Sequence, residues 1–189
     1  MRRNVLIIED DTLVGMGLRS YLEKLGHHVI GQAASSGEAI EMFGKHKPDL
    51  VMVDVRLDGA DGIDLAGRLL AERPCPMIVV SAYGDAELVS RAAAAGVFGY
   101  LIKPASRESL SAQIEIAVRR FEEREQLRTE KQQLSQTLES RKSVEKAKGI
   151  LMKRLSLDEP AAHRWLQLEC QKRRMPIGDL AKEILAAPQ

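Results

Sequence analysis

Short apolar runs punctuate the first half of the chain, and four of them end on a group with chemistry to offer. Val5-Leu6-Ile7-Ile8 runs into Glu9-Asp10, and Leu50-Val51-Met52-Val53 into Asp54. Ile78-Val79-Val80 runs into Ser81-Ala82, and Tyr100-Leu101-Ile102 into Lys103-Pro104. Runs this short and this continuously apolar read as parallel strands covered on both faces. The pattern predicts strands near 4–8, 28–33, 49–53, 76–81 and 98–102, with helices near 12–25, 36–46, 62–73 and 85–95. Such alternation builds a five-stranded, doubly wound parallel sheet. Punctuation agrees: Gly26 and Gly96 close the first and fourth helices, Pro48 precedes the third strand, and Ser35 offers an N-cap to the second helix.

Beyond Pro104 the pattern becomes helical. Between Ser106 and Arg154 there is one glycine, Gly149, and no proline. Leu110, Ile114, Ala117 and Phe121 form a stripe that packs on the sheet or on a partner. Leu127, Leu134 and Leu138 follow out of phase with it, as in a coiled-coil stammer or a break between two helices. Val144, Ala147, Leu151 and Leu155 then share a face. Ser156-Leu157-Asp158-Glu159-Pro160 starts another helix, Arg173-Arg174-Met175-Pro176 breaks it, and Ile177, Leu180, Ala181, Ile184 and Leu185 form a last amphipathic stripe. The reading is a doubly wound core over 1–106, a fifth helix and coiled-coil-like linker over 107–140, and a small three-helix domain over 141–189.

Charge separates these regions. The net charge of +1 divides into −3 for 1–106, −1 for 107–140 and +5 for 141–189. The basic excess at the end suits a polyanion; a solvated helical surface is the alternative. The two cysteines, Cys75 and Cys170, form no CxxC pair, and the four histidines show no metal-ligand spacing. A reduced, cytoplasmic protein is the simplest reading. No apolar stretch is long enough to span a bilayer, and no signal-peptide pattern follows Met1-Arg2-Arg3.

Sites in open parallel sheets lie at the carboxyl ends of the strands. Glu9, Asp10, Asp54, Ser81 and Lys103 therefore converge on one edge. Three carboxylates repel one another unless a cation intervenes, and Mg²⁺ suits oxygen ligands. Together with Gly62, eight residues after Asp54, this set resembles the receiver domain of two-component response regulators over roughly residues 4–120. The resemblance implies a flavodoxin-like fold with Asp54 as phosphoacceptor. Mg²⁺ would be bound by Asp10, Asp54 and the main-chain carbonyl of Arg56, with Glu9 helping. Ser81 and Lys103 would hold phosphoryl oxygens, and Ser81 and Tyr100 would form the switch pair. Asp58 departs from the family, standing where many receivers have proline.

Residues from about 138 to 186 resemble the ANTAR domain, an RNA-binding antitermination module. The match runs through Arg141, Val144-Glu145-Lys146-Ala147-Lys148-Gly149-Ile150-Leu151-Met152, Ala162, Leu166 and Asp179-Leu180-Ala181. His163 stands where the family usually has Phe or Tyr, and Trp165 replaces a usual aliphatic. Candidate RNA-binding residues are Arg141, Lys142, Lys146, Lys148, Arg164, Arg173 and Arg174. His163, Arg164 and Trp165 could also stack on bases, with core packing the alternative for Trp165. The architecture is similar to the nitrate-assimilation antiterminator group. It implies phosphorylation by a sensor histidine kinase, homodimerisation on activation, and binding to stem-loops of a leader transcript. A DNA-binding regulator with the same receiver is the alternative. Residues 107–189 offer no nucleophile–base pair or metal cluster, so the output is not expected to be enzymatic.

Overall fold

The structure is a computed structural model, and it describes residues 2–186. Their packing separates into two compact units, divided between Arg124 and Glu125. In the first unit, β1 (Asn4–Ile8), β2 (His28–Ala33), β3 (Leu50–Asp54), β6 (Met77–Ser81) and β7 (Gly99–Ile102) form one parallel sheet in the order β2-β1-β3-β6-β7. This is the doubly wound order whose crevice opens at the point where the winding reverses, between β1 and β3.

Side-chain alternation along each strand feeds two cores. Leu6, Ile8, Val51, Val53, Met77 and Val79 face α2 (Ser36–His46), α3 (Gly62–Glu72) and α4 (Ala86–Ala94), where Phe43, Ile63, Leu69 and Ala92 cover them. Val5, Ile7, Leu50, Met52, Ile78 and Val80 face the other way. There they meet Leu18 and Leu22 of α1 (Thr12–Lys24) and Leu110, Ile114 and Ala117 of α5 (Arg107–Leu155). The first α5 stripe thus packs on the sheet, and Phe121 meets Phe98 edge to face at 5.4 Å.

Two local features were not anticipated. β4 (Arg56–Leu57) and β5 (Ala60–Asp61) form a small hairpin turned by Asp58-Gly59, with Gly59 at φ +74°. Asp58 is simply a turn residue there, of the Asp-Gly kind that suits two-residue connections. The chain then returns so closely that a Cβ on Gly62 would lie 1.7 Å from the Asp54 carbonyl oxygen. Only glycine fits that approach.

Of the two readings of the phase change near Leu127, a stammer or a break, the break is absent: α5 is one uninterrupted helix from Arg107 to Leu155. Nothing in its Arg-, Glu-, Lys- and Gln-rich middle disfavours helix, so the change of phase is carried on a continuous backbone. In the second unit, the end of α5 packs with α6 (Glu159–Arg173) and α7 (Ile177–Ala186) around Val144, Ala147, Leu151, Ala162, Leu166, Leu180 and Ala181. The first helix of that domain is therefore the tail of α5 rather than a separate short element. Leu155, expected on its buried face, is 48% exposed. α6 is capped by Asp158, whose side chain accepts from Ala161 N–H, with Pro160 in the first turn.

Candidate functional site

Each residue of the candidate phosphoryl site is placed by a strand end. Glu9 follows β1, Asp54 ends β3, Ser81 ends β6 and Lys103 follows β7. The acids after β1 divide their work: Asp11 caps α1, accepting from Leu13 and Val14 N–H, while Glu9 and Asp10 remain for the crevice. Glu9, Asp10 and Asp54 bring ligand oxygens within 4.8 Å of one another. Lys103 Nζ bridges two of them, donating to Glu9 Oε2 at 2.8 Å and Asp54 Oδ2 at 2.7 Å. Arg56 N–H donates a longer bond, 3.3 Å, to Asp54 Oδ1. The Lys103–Pro104 peptide is cis.

The electrostatics follow from burial and charge. Burial pushes the Glu9 carboxyl up, and the nearby Asp54 charge adds to this. The hydrogen bond from Lys103 opposes it, leaving a pKa of about 7. Burial alone would lower the Lys103 ammonium, but its bonds to Asp54 and Glu9 outweigh that and hold it above the ordinary lysine value. Glu9 Oε1 is buried and has no hydrogen-bond partner. An orphaned carboxylate oxygen beside two more acids is the donor set a hard, oxygen-seeking cation such as Mg²⁺ takes.

This geometry gives a pH-dependent expectation. Without a cation, the folded state binds the Glu9 proton more tightly than the unfolded chain does. That contribution to stability is present below the ordinary value of 4.5 and is lost as pH rises through about 7. Mg²⁺ competes with this proton, so it should raise the melting temperature more at about pH 8 than at about pH 5.5. Thermal unfolding followed by circular dichroism, with and without Mg²⁺ at both values, checks it. Equal gains would separate Glu9 from the metal site.

Ser81 is buried, and its Oγ accepts from Tyr83 N–H at 3.1 Å, which leaves the hydroxyl proton to donate elsewhere. Tyr100, half-buried, donates its hydroxyl to the Tyr83 carbonyl at 2.7 Å. Both candidate switch residues thus hold the backbone of Tyr83, and the Arg56 guanidinium lies 4.6 Å from the centroid of the Tyr83 ring. Sequence reasoning missed Tyr83. It also missed Asp61, which caps α3 and accepts from Arg91 of α4 at 2.7 Å. Burial alone would raise the Asp61 carboxyl, but Arg91 and the N–H groups of Asp64 and Ile63 outweigh it and hold it below the usual range.

In the second unit the candidate RNA-binding cations divide. Arg141, Lys142, Lys146, Arg164 and Arg174 are exposed. Lys142, Lys146, Gly149 and Lys153 recur at four, three and four residues, which aligns them on one helix face, and the space above Gly149 is open. Lys148 requires a correction. It is 8% exposed and lies between two carboxylates, donating to Glu145 at 2.8 Å and Glu159 at 2.7 Å. It ties α5 to the start of α6 and is not available to a phosphate. Arg173 is exposed but shared between Glu169 at 2.7 Å and Glu183 at 3.2 Å. Trp165 is half-buried against the small core.

A doubly wound sheet whose strand ends gather acids, a hydroxyl and a bridging lysine defines the receiver class. The chain matches the response regulator receiver domain over residues 5–115 and the ANTAR domain over 132–185. It belongs to the response regulators that join these two domains. It is 41% identical over 183 residues to the transcriptional regulatory protein PdtaR of Mycobacterium tuberculosis (strain CDC 1551 / Oshkosh), covering 97% of this chain and 89% of that protein. Among solved structures, the receiver domain of a modulated diguanylate cyclase from Desulfovibrio desulfuricans G20 is 36% identical. It has a TM-score of 0.60 and covers 65% of this chain and 98% of its own. CheY from Borrelia burgdorferi, solved in a complex with CheX, BeF3 and Mg²⁺, is 25% identical. Its TM-score is 0.57, over 59% of this chain and 85% of that chain. Among the described residues, no helix is long and apolar enough to cross a membrane.

Proposed function

We propose that this chain is a cytoplasmic, phosphorylation-switched RNA-binding regulator acting in transcription antitermination, with Asp54 as the phosphoacceptor and a sensor histidine kinase as donor. One observation carries the reading: a single chain holds a lysine-bridged aspartate at a receiver crevice and an exposed basic helix face. In the transfer, a bond forms between an Asp54 carboxylate oxygen and phosphorus. The donor's bond to phosphorus breaks and its electron pair leaves with the donor. Asp10, Asp54 and the Arg56 main-chain carbonyl, with Glu9 beside them, would hold Mg²⁺, which would supply positive charge to the phosphoryl oxygens.

The side chains then read the new charge. Lys103 pairs with a phosphoryl oxygen, and the Ser81 hydroxyl donates to another. Donation from Ser81 is coupled to Tyr83, because the same oxygen already accepts from its N–H. Tyr100, bonded to the Tyr83 carbonyl, moves with that segment. Activation favours a homodimer: Leu127, Leu134 and Leu138 are 67%, 70% and 57% exposed and recur at seven and four residues, the spacing of a seam that the helix of a second copy would cover. The grouping with nitrate-assimilation antiterminators rests on the shared order of domains.

RNA is favoured over DNA by the ANTAR match and by the small size of the helical unit. Stem-loops of a leader transcript would lie across Arg141, Lys142 and Lys146, with Arg164 and Arg174 as further contacts. Crosslinking in cells followed by sequencing of the recovered nucleic acid tests this. RNA enriched in leader stem-loops is expected; recovery of duplex DNA that survives ribonuclease would favour the DNA-binding reading.

A further inference from the structure

The second unit contains a cavity of about 380 Å³ that the phosphate-binding face does not use. Leu151, Leu155, Trp165, Leu180 and Ile184 supply its apolar walls, and charged side chains from α5, α6 and α7 complete its lining. The volume falls at the small end of the range that accepts organic ligands, about 300–1,000 Å³. Trp165 is half-buried, so its indole both closes the small core and lines the cavity. Arg173 is already shared between Glu169 and Glu183, so its own charge on this edge is largely offset. Walls of apolar side chains and an indole give a phosphate little to bind. They suit a flat, uncharged heteroaromatic ring with hydrogen-bonding edges.

We infer that this cavity takes one unstacked base from a single-stranded loop of the bound RNA, stacked on the Trp165 indole. The inference rests on the RNA-binding reading above and adds how sequence could be read. The setting supports RNA as the source of the ring. The segment 141–189 carries a net +5, which draws a polyanion to this unit. Sequence-specific RNA recognition commonly splays loop bases onto aromatic side chains. The Arg173 guanidinium has N–H groups beyond those it gives to Glu169 and Glu183, and these can donate to ring or carbonyl acceptors of a base.

Trp165 is the sole tryptophan of the sequence, so emission from the full-length protein reports on this cavity alone. The probe is an RNA of two short stem-loops with adenosine-containing loops, compared with the same RNA carrying abasic loop positions and with a fully paired duplex of equal length. The stem-loop RNA should quench the emission, and the abasic and duplex forms should not. Trp165→Leu should weaken stem-loop binding roughly fivefold to a hundredfold, since stacking on an aromatic carries affinity of that order. The slope of affinity against salt should stay the same, because no phosphate contact is lost. Trp165→Phe should keep most of the affinity. Circular dichroism on both variants guards against misfolding. Salt-dependent binding with unchanged emission and unchanged Trp165→Leu affinity overturns the base site while leaving the RNA-binding reading intact. Binding to no RNA at all overturns both. An emission change that follows protein concentration without RNA assigns the cavity to a second copy of the chain and overturns the base site.

Discussion

Replacing Arg141, Lys142 and Lys146 together with alanine should lower affinity for a two-hairpin RNA about a hundredfold at ~0.1 M salt. It should also reduce the slope of log affinity against log salt by roughly two to three units. All three side chains are exposed. Each phosphate they neutralise releases condensed counterions, which contributes about 0.7 to 0.9 to the slope per contact. Lys148→Ala provides the contrast. Its ammonium is enclosed by Glu145 and Glu159, and its bonds to them hold it above the ordinary lysine value. Its loss should leave the salt slope nearly unchanged and lower the melting temperature, because the tie between α5 and α6 is cut. Filter binding across a salt series, with thermal unfolding of each variant, distinguishes the two effects. A slope that falls for Lys148→Ala as much as for the triple variant would show that Lys148 swings outward onto RNA.

Asp54→Asn should abolish phosphorylation by acetyl phosphate, and Lys103→Ala should let it proceed while silencing its consequences. The first substitution keeps size but removes the nucleophilic oxygen, so no labelled protein should be seen by intact-mass measurement. The second leaves Glu9, Asp10 and Asp54 in place for Mg²⁺. What it removes is the cation that pairs with Asp54 Oδ2 and Glu9 Oε2. With that ammonium gone, buried Glu9 loses the interaction that opposes its raised pKa, so the variant should take up a proton there or depend on Mg²⁺ more strongly for stability. Phosphorylated Lys103→Ala should bind RNA no better than its unmodified form. A gain equal to that of the wild type would show that Ser81 alone conveys the signal.

The sheet was readable from the chain because its strands are buried on both faces, which makes Val5–Ile8, Leu50–Val53 and Ile78–Val80 continuously apolar. Their ends place the acids and Lys103 by topology, so the contents of the crevice followed from strand positions. The hairpin at Asp58-Gly59 escaped because two residues per strand carry no periodic pattern. Gly62 was noticed as a matching residue, but its reason, contact with the Asp54 carbonyl, lies in a return of the chain that no local signal records. Tyr83 was missed because its role belongs to its main chain: it is the point where Ser81 and Tyr100 both attach. Lys148 misled for a related reason. A lysine in a basic helix reads as a free cation, and its enclosure depends on Glu159, which approaches only when α6 folds back. The change of hydrophobic phase near Leu127 left a stammer and a break open, and helix-favouring residues on both sides sustain α5 through it.

The central claim is that phosphorylation of Asp54 changes RNA binding, and modification alone does not establish it. Coupling requires that the phosphorylated and unmodified states differ in affinity. The most direct measurement is the dissociation constant of the full-length protein for a two-hairpin leader RNA in Mg²⁺, with and without acetyl phosphate, with Asp54→Asn in parallel. The wild type is expected to tighten about tenfold on phosphorylation, a coupling of roughly 1.4 kcal/mol, and Asp54→Asn not at all. Wild-type protein that carries the phosphoryl group on Asp54 yet binds RNA with unchanged affinity would contradict the account.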